Sequence, residues 1–210
     1  MEDFKVFVFF DSTLNKQPDW SKIQKDAVAH GNTVRVFDNA VNSRNPANST
    51  NFQSSLASGG TTVFIGHTQT PEGSKGPAAI SLTDKEIGQP ATKPGEIGAG
   101  RYEFPENILG GIVAIPAEMP AKVNGGTVAL FGCDSIVLAP QYSGADTFIG
   151  TNVASTDGLL AAGAAFVDSA ASGNTTQQAV ADANAQINQI PQLDSNAKVV
   201  EVPNKKEDPK

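Results

Sequence analysis

Residues 63–70 read VFIGHTQT and residues 128–135 read VALFGCDS. Each is an apolar run that stops at a glycine and hands over to one chemically active side chain, His67 in the first and Cys133 in the second. Runs of this length, rich in Val, Ile and Phe and bounded by glycine and polar residues, predict strands covered on both faces. KVFVFF (5–10), TVRVFDNAV (33–41) and DTFIGTN (146–152) predict three more.

The segments between them carry a different period. DWSKIQKDAVAHG (19–31) spaces Trp20, Ile23, Ala27 and Val28 near the helical repeat and stops at Gly31, and STNFQSSLASGG (49–60) sets Phe52 and Leu56 four apart before a glycine pair. Strand, helix, strand, helix, strand requires crossover connections, so the predicted fold class is α/β, a three-layer sandwich around a mostly parallel central sheet. Farther on, STDGLLAAGAAFVDSAASG (155–173) predicts a helix with Ser155 or Thr156 as N-cap and Gly173 as its stop. TTQQAVADANAQINQI (175–190) predicts the last helix and AKVVEV (197–202) an edge strand.

Residues 71–105 break the rhythm. Their glycines and prolines surround AAISLTDKEIG, which predicts a short hairpin or excursion at the sheet edge, bordering whatever site His67 faces. NILGGIVAIPAEM (107–119) is ambiguous. The expected organisation is one domain over residues 1–200 with the 71–105 excursion inside it and a charged tail over 201–210.

With 22 acidic against 15 basic residues the formal charge is −7, and no Lys/Arg cluster offers the counterion release that nucleic-acid binding needs. A nucleic-acid partner is not expected. The N-terminal MEDFKVFVFF has too short an apolar run, preceded by acidic residues, for a signal peptide, and nothing approaches the roughly 18 apolar residues of a membrane span. The chain therefore reads as soluble and without a membrane partner, either cytoplasmic or a domain of a larger protein. One cysteine makes no internal disulfide. Metal binding has little to build on, since His30 and His67 are far apart and Cys133 is alone.

In open α/β sheets, sites collect beyond the carboxyl ends of the strands. His67 and Cys133 both fall there, and if their strands are neighbours a thiolate nucleophile and an imidazole proton carrier can meet, with backbone N–H groups beside the cysteine for an oxyanion. Each residue alone also has a plain structural reading, a cysteine as a small buried hydrophobe and a histidine as a hydrogen-bonded loop residue. DSTLNK (11–16) offers a strand-to-helix turn for an anion but lacks glycine, and Ser and Thr there are ordinary caps. Asp11 has no acidic partner pair of the kind a phosphate-accepting aspartate uses. Asp38, ending the second strand, either lines the same edge or caps a loop, and the loop role is favoured. No G-x-S-x-G elbow is present.

A strand ending in His67, a second ending in GCDS, and then TFIGTNVASTDGLLAAGAAFVDSAASGNTTQQAVADAN (147–184) resemble the caspase-like cysteine peptidases, the group that includes caspases, clostripain, gingipains, legumain and bacterial domains of the same type. The resemblance runs in element order over about residues 5–190, with detail at His67, Cys133 and 146–185. It implies a cysteine endopeptidase acting on peptides or proteins without a cofactor, with Cys133 as nucleophile and His67 as general acid/base. The family usually carries glycine after the histidine, its amide helping to build the oxyanion hole; here that position is Thr68. Gly132 fits the small residue before the nucleophile, so Thr68 and Gly132 would border the oxyanion site. The alternative is a non-catalytic interaction module on the same fold, with the 71–105 excursion as contact surface.

Overall fold

A computed structural model describes residues 5–11, 14, 16–38, 43–69, 79–82, 102–103, 113–116, 123–153, 155–191, 193 and 196–203. In chain order its elements are β1 (Lys5–Phe10), α1 (Trp20–Ala29), β2 (Thr33–Asp38), α2 (Ser49–Ala57), β3 (Thr61–Ile65), β4 (Thr68–Gln69), β5 (Ala79–Leu82), β6 (Tyr102–Glu103), β7 (Val113–Pro116), β8 (Thr127–Phe131), a 3-10 helix (Ser135–Tyr142), β9 (Thr147–Thr151), α3 (Thr156–Ala171), α4 (Thr176–Ile187) and β10 (Val199–Pro203).

Six strands form one sheet in the order β10-β9-β8-β3-β1-β2. Every pairing is parallel except that of β10 with β9. The central strands have no solvent face. All five residues of β3 are buried, which is why TTVFI reads as a continuous run instead of an alternation.

Alternate residues serve two cores. Val6, Val8, Phe10, Val63, Ile65, Ala129 and Phe131 join the layer made by α1, α3 and α4, while Phe9, Phe64, Val128 and Leu130 join Phe52 and Leu56 of α2 and Leu138 and Tyr142 of the 3-10 helix. Helices thus cover both faces of an α/β fold with a mostly parallel sheet, an arrangement compatible with three layers. Three helices are capped by side chains that the sequence reading did not single out: Asp19 accepts from Lys22 N, Asn48 from Asn51 N and Thr175 from Gln178 N. Ser155 is the N-cap residue of α3, though its side chain makes no capping hydrogen bond.

The register of β3 with β8 is fixed from below by glycine. Gly126 adopts φ +71°, and a Cβ there would stand 2.3 Å from the Gly60 carbonyl oxygen, so only glycine lets the two incoming turns close on each other. Thr127 N donates to that same carbonyl at 3.2 Å. On the helix side, α3 lies against the β3–β8 pair at Gly163, where a Cβ would come within 2.7 Å of Ile65 Cδ1.

Three features depart from the sequence reading. The second strand, predicted over 33–41, ends at Asp38, and residues 39–42 lie outside those described. In place of a single hairpin, the segment after His67 contributes a second, antiparallel sheet in the order β4-β5-β7-β6, which also takes in part of the ambiguous 107–119 stretch. Most of 71–105 lies outside the described residues. Ile80 and Leu82 of β5, two apart and buried, join the α2-side core. The 3-10 helix had no counterpart in the sequence reading: Pro140 sits inside it, and its eight residues are too few for a periodic signal.

Phe166 is buried between α3 and the sheet, its ring centroid 5.5 Å from that of Phe131. Phe166→Ala should lower unfolding free energy by about 3–5 kcal/mol, read from the urea midpoint, with a loss under about 1 kcal/mol contradicting this packing.

Candidate active site

The ladder between β3 and β8 ends at Ile65↔Phe131, and Gly66 N extends it by donating to the Phe131 carbonyl at 3.1 Å. His67 and Cys133 each stand two residues beyond that last pair. Strand alternation puts Ile65 and Phe131, the last residues of the two strands, on the side of α1, α3 and α4. Cys133 is half-buried and packs against that core. His67 is half-buried as well.

Thr68 and Gly132 meet at these strand ends. The Thr68 methyl occupies the space above Gly132, where a Cβ would lie 2.1 Å from Thr68 Cγ2. Thr68 Oγ1 donates a hydrogen bond to the Cys133 carbonyl. The Thr68 hydroxyl and methyl are therefore engaged with the cysteine turn itself, a tie that sequence reasoning about its amide did not include.

The turn is tight. Ser135 N donates to the Gly132 carbonyl at 3.2 Å, closing residues 132–135, and Asp134 within it is left-handed at φ 50°, ψ 29°. Among described non-glycine residues it alone has positive φ. Aspartate is one of the few side chains that tolerates this region, so GCDS carries a residue suited to the bend.

Ser135 and Thr151 stitch the ends of β8 and β9 together, and sequence reasoning missed both. Ser135 Oγ donates to the Leu130 carbonyl and accepts from Thr151 N at 3.0 Å, while Thr151 Oγ1 donates to the Gly132 carbonyl at 2.5 Å. Both residues are fully buried. The glycine of TFIGT belongs to the same arrangement, because a Cβ at Gly150 would come within 2.6 Å of Ile136 Cα. The available signal was a hydroxyl residue just past one apolar run and another ending the next, and the pairing of the two emerges only from strand order.

Among the described residues no hydrogen bond joins the His67 ring to Cys133 Sγ. The thiol pKa lies above its ordinary value, first because burial disfavours the anion and second because the Asp134 carboxylate is close; the Cys133 backbone N–H opposes both. A raised pKa keeps the proton on sulfur at neutral pH, so the nucleophilic anion gains population only in the alkaline range.

The two aspartates considered from sequence lie elsewhere. Asp38 ends β2, separated from β3 by β1, and its backbone holds the returning loop by donating to the Asn45 carbonyl at 3.0 Å and accepting from Ala47 N at 2.8 Å. Asp11 is buried at the end of β1 beneath Gly66, on the α2 side and so on the face opposite the core against which Cys133 packs. No group of three or more His, Cys, Asp and Glu among the described residues is placed to hold a metal, and no described helix is long and apolar enough to cross a membrane.

Compared with known proteins, the chain matches no protein-family model, and none of the curated proteins is significantly similar to it.

Two outcomes check the site's electrostatics and its polar stitching. Asp134→Asn should move the pH profile of Cys133 alkylation toward lower pH while leaving it above that of a free thiol, because burial persists; an unmoved profile would remove Asp134 as a cause. Ser135→Ala should cost about 1–3 kcal/mol in urea unfolding by stranding the buried Thr151 amide.

Proposed function

We propose that the chain is a cysteine endopeptidase domain of the caspase-like type. The observation that supports this reading is the parallel pairing of β3 with β8, whose ladder ends at Ile65↔Phe131, so that His67 and Cys133 each follow two residues beyond the last paired position at the carboxyl ends of neighbouring strands. In the proposed reaction Cys133 Sγ, its proton passed to His67, bonds to the carbonyl carbon of a peptide bond. The C–N bond then breaks as His67 returns the proton to the leaving amine, and water releases the acyl group from sulfur. The Cys133 amide, bordered by Thr68 and Gly132, is the candidate oxyanion donor. A net charge of −7 favours peptides over nucleic acid as the partner class.

A second reading, a non-catalytic interaction module on the same fold, has its own observation. The thiol is held protonated by burial and Asp134, with no imidazole bonded to it. The two readings part on turnover. If the first is right, a fluorogenic peptide library is hydrolysed by the full chain, and Cys133→Ala abolishes the activity while His67→Ala lowers it by at least about 100-fold. Hydrolysis that survives Cys133→Ala would overturn Cys133 as the nucleophile, and none with any peptide would leave the interaction module.

A further inference from the structure

The carbonyls of the cysteine turn are held from two directions. Gly132 O is taken by Ser135 N and by Thr151 Oγ1, and Asp134 O by Val137 N at 3.2 Å, all from the β8–β9 side. Cys133 O is held from the β3 side, by Thr68 Oγ1. Thr68 is at the same time the first residue of β4, where it pairs with Ile80 of β5. Ile80 is 1% exposed and packed in the α2-side core. A continuous chain of contacts thus runs from that core through β5 and Thr68 to the residue bearing the thiol.

We propose that Thr68 is a clamp that couples the second sheet to the nucleophile turn: its hydroxyl and methyl hold the turn closed with Cys133 packed inward, and displacement of β4 and β5 frees it. This regulation rests on the reading of Cys133 as the nucleophile, and Thr68 acts in it as a positioning residue. The methyl packs on the turn in the space that the missing Cβ of Gly132 leaves, and the hydroxyl holds it by satisfying a carbonyl that would otherwise turn toward water.

The test is the rate of Cys133 alkylation by iodoacetamide in the full chain at one near-neutral pH. Thr68→Val removes the hydroxyl at nearly constant volume and should speed labelling about fivefold, the effect on an opening equilibrium of losing one hydrogen bond of about 1 kcal/mol. Thr68→Ser keeps the hydroxyl and loses only the methyl, and should label at a rate between those of the wild type and Thr68→Val. Ile80→Val loosens the support behind Thr68 and should also accelerate labelling. A folded Thr68→Val that labels at the wild-type rate overturns the clamp. Should that variant fail to fold, Ile80→Val decides, acceleration supporting the clamp and an unchanged rate overturning it. Peptide hydrolysis plays no part in this readout, so the clamp and the peptidase reading fail separately.

Discussion

The parallel pairing of β3 with β8 is the constraint on which the rest depends. Below, it is pinned by glycine turns that no other residue could bring so close; above, by the Gly66 amide on the Phe131 carbonyl. Between these ends every residue of β3 is buried, so a slip by one position would turn Val63 and Ile65 out of their core and Phe64 into it. The same pairing brings the segments bearing His67 and Cys133 to neighbouring strand ends, where Thr68 packs on Gly132. Close packing of α3 at Gly163 uses those strands as its bed, so the helix layer and the candidate site share one foundation.

Strand ends present polar backbone groups where the ladder stops, and hydroxyl side chains answer them here. Thr68, Ser135 and Thr151 between them satisfy the carbonyls of Leu130, Gly132 and Cys133. So many ties over-determine the turn, which lets Asp134 persist in a left-handed conformation that a looser loop would relax. The consequence for chemistry is direct. Burial of the thiol beneath such a turn, with a carboxylate next to it, pushes its pKa up and holds the proton on sulfur at neutral pH.

What was legible in the sequence follows from the physics of each segment. KVFVFF and TTVFI declare themselves because a strand buried on both faces has no polar register to interrupt it, and α1, α3 and α4 because their apolar spacing matches the helical repeat. The positions of His67 and Cys133 at strand ends were readable for the same reason. SIVLAPQY was not, since a 3-10 helix of eight residues containing proline has neither the period nor the length of a recognisable element, and only Leu138 and Tyr142, four apart, hinted at a buried side. The second sheet was hidden by strands of two to four residues. Ser135 with Thr151 was hidden because its meaning lies in the adjacency of β8 and β9, which spacing along the chain does not encode.

Function on this frame turns on whether two side chains on neighbouring strand ends share one space. Cys133 is the chain's one cysteine, so His67→Cys creates a chain with two thiols and a direct ruler between the positions. Neighbouring strands stand about 4.8 Å apart, inside the range of roughly 4.4–6.8 Å over which two Cα atoms accept a disulfide. Under mild oxidation in dilute solution, the β3–β8 register predicts rapid, intramolecular linkage of residues 67 and 133 with loss of both free thiols. Two thiols that remain titratable in the folded protein, or that link only between molecules, would contradict the proximity on which the proposed chemistry stands.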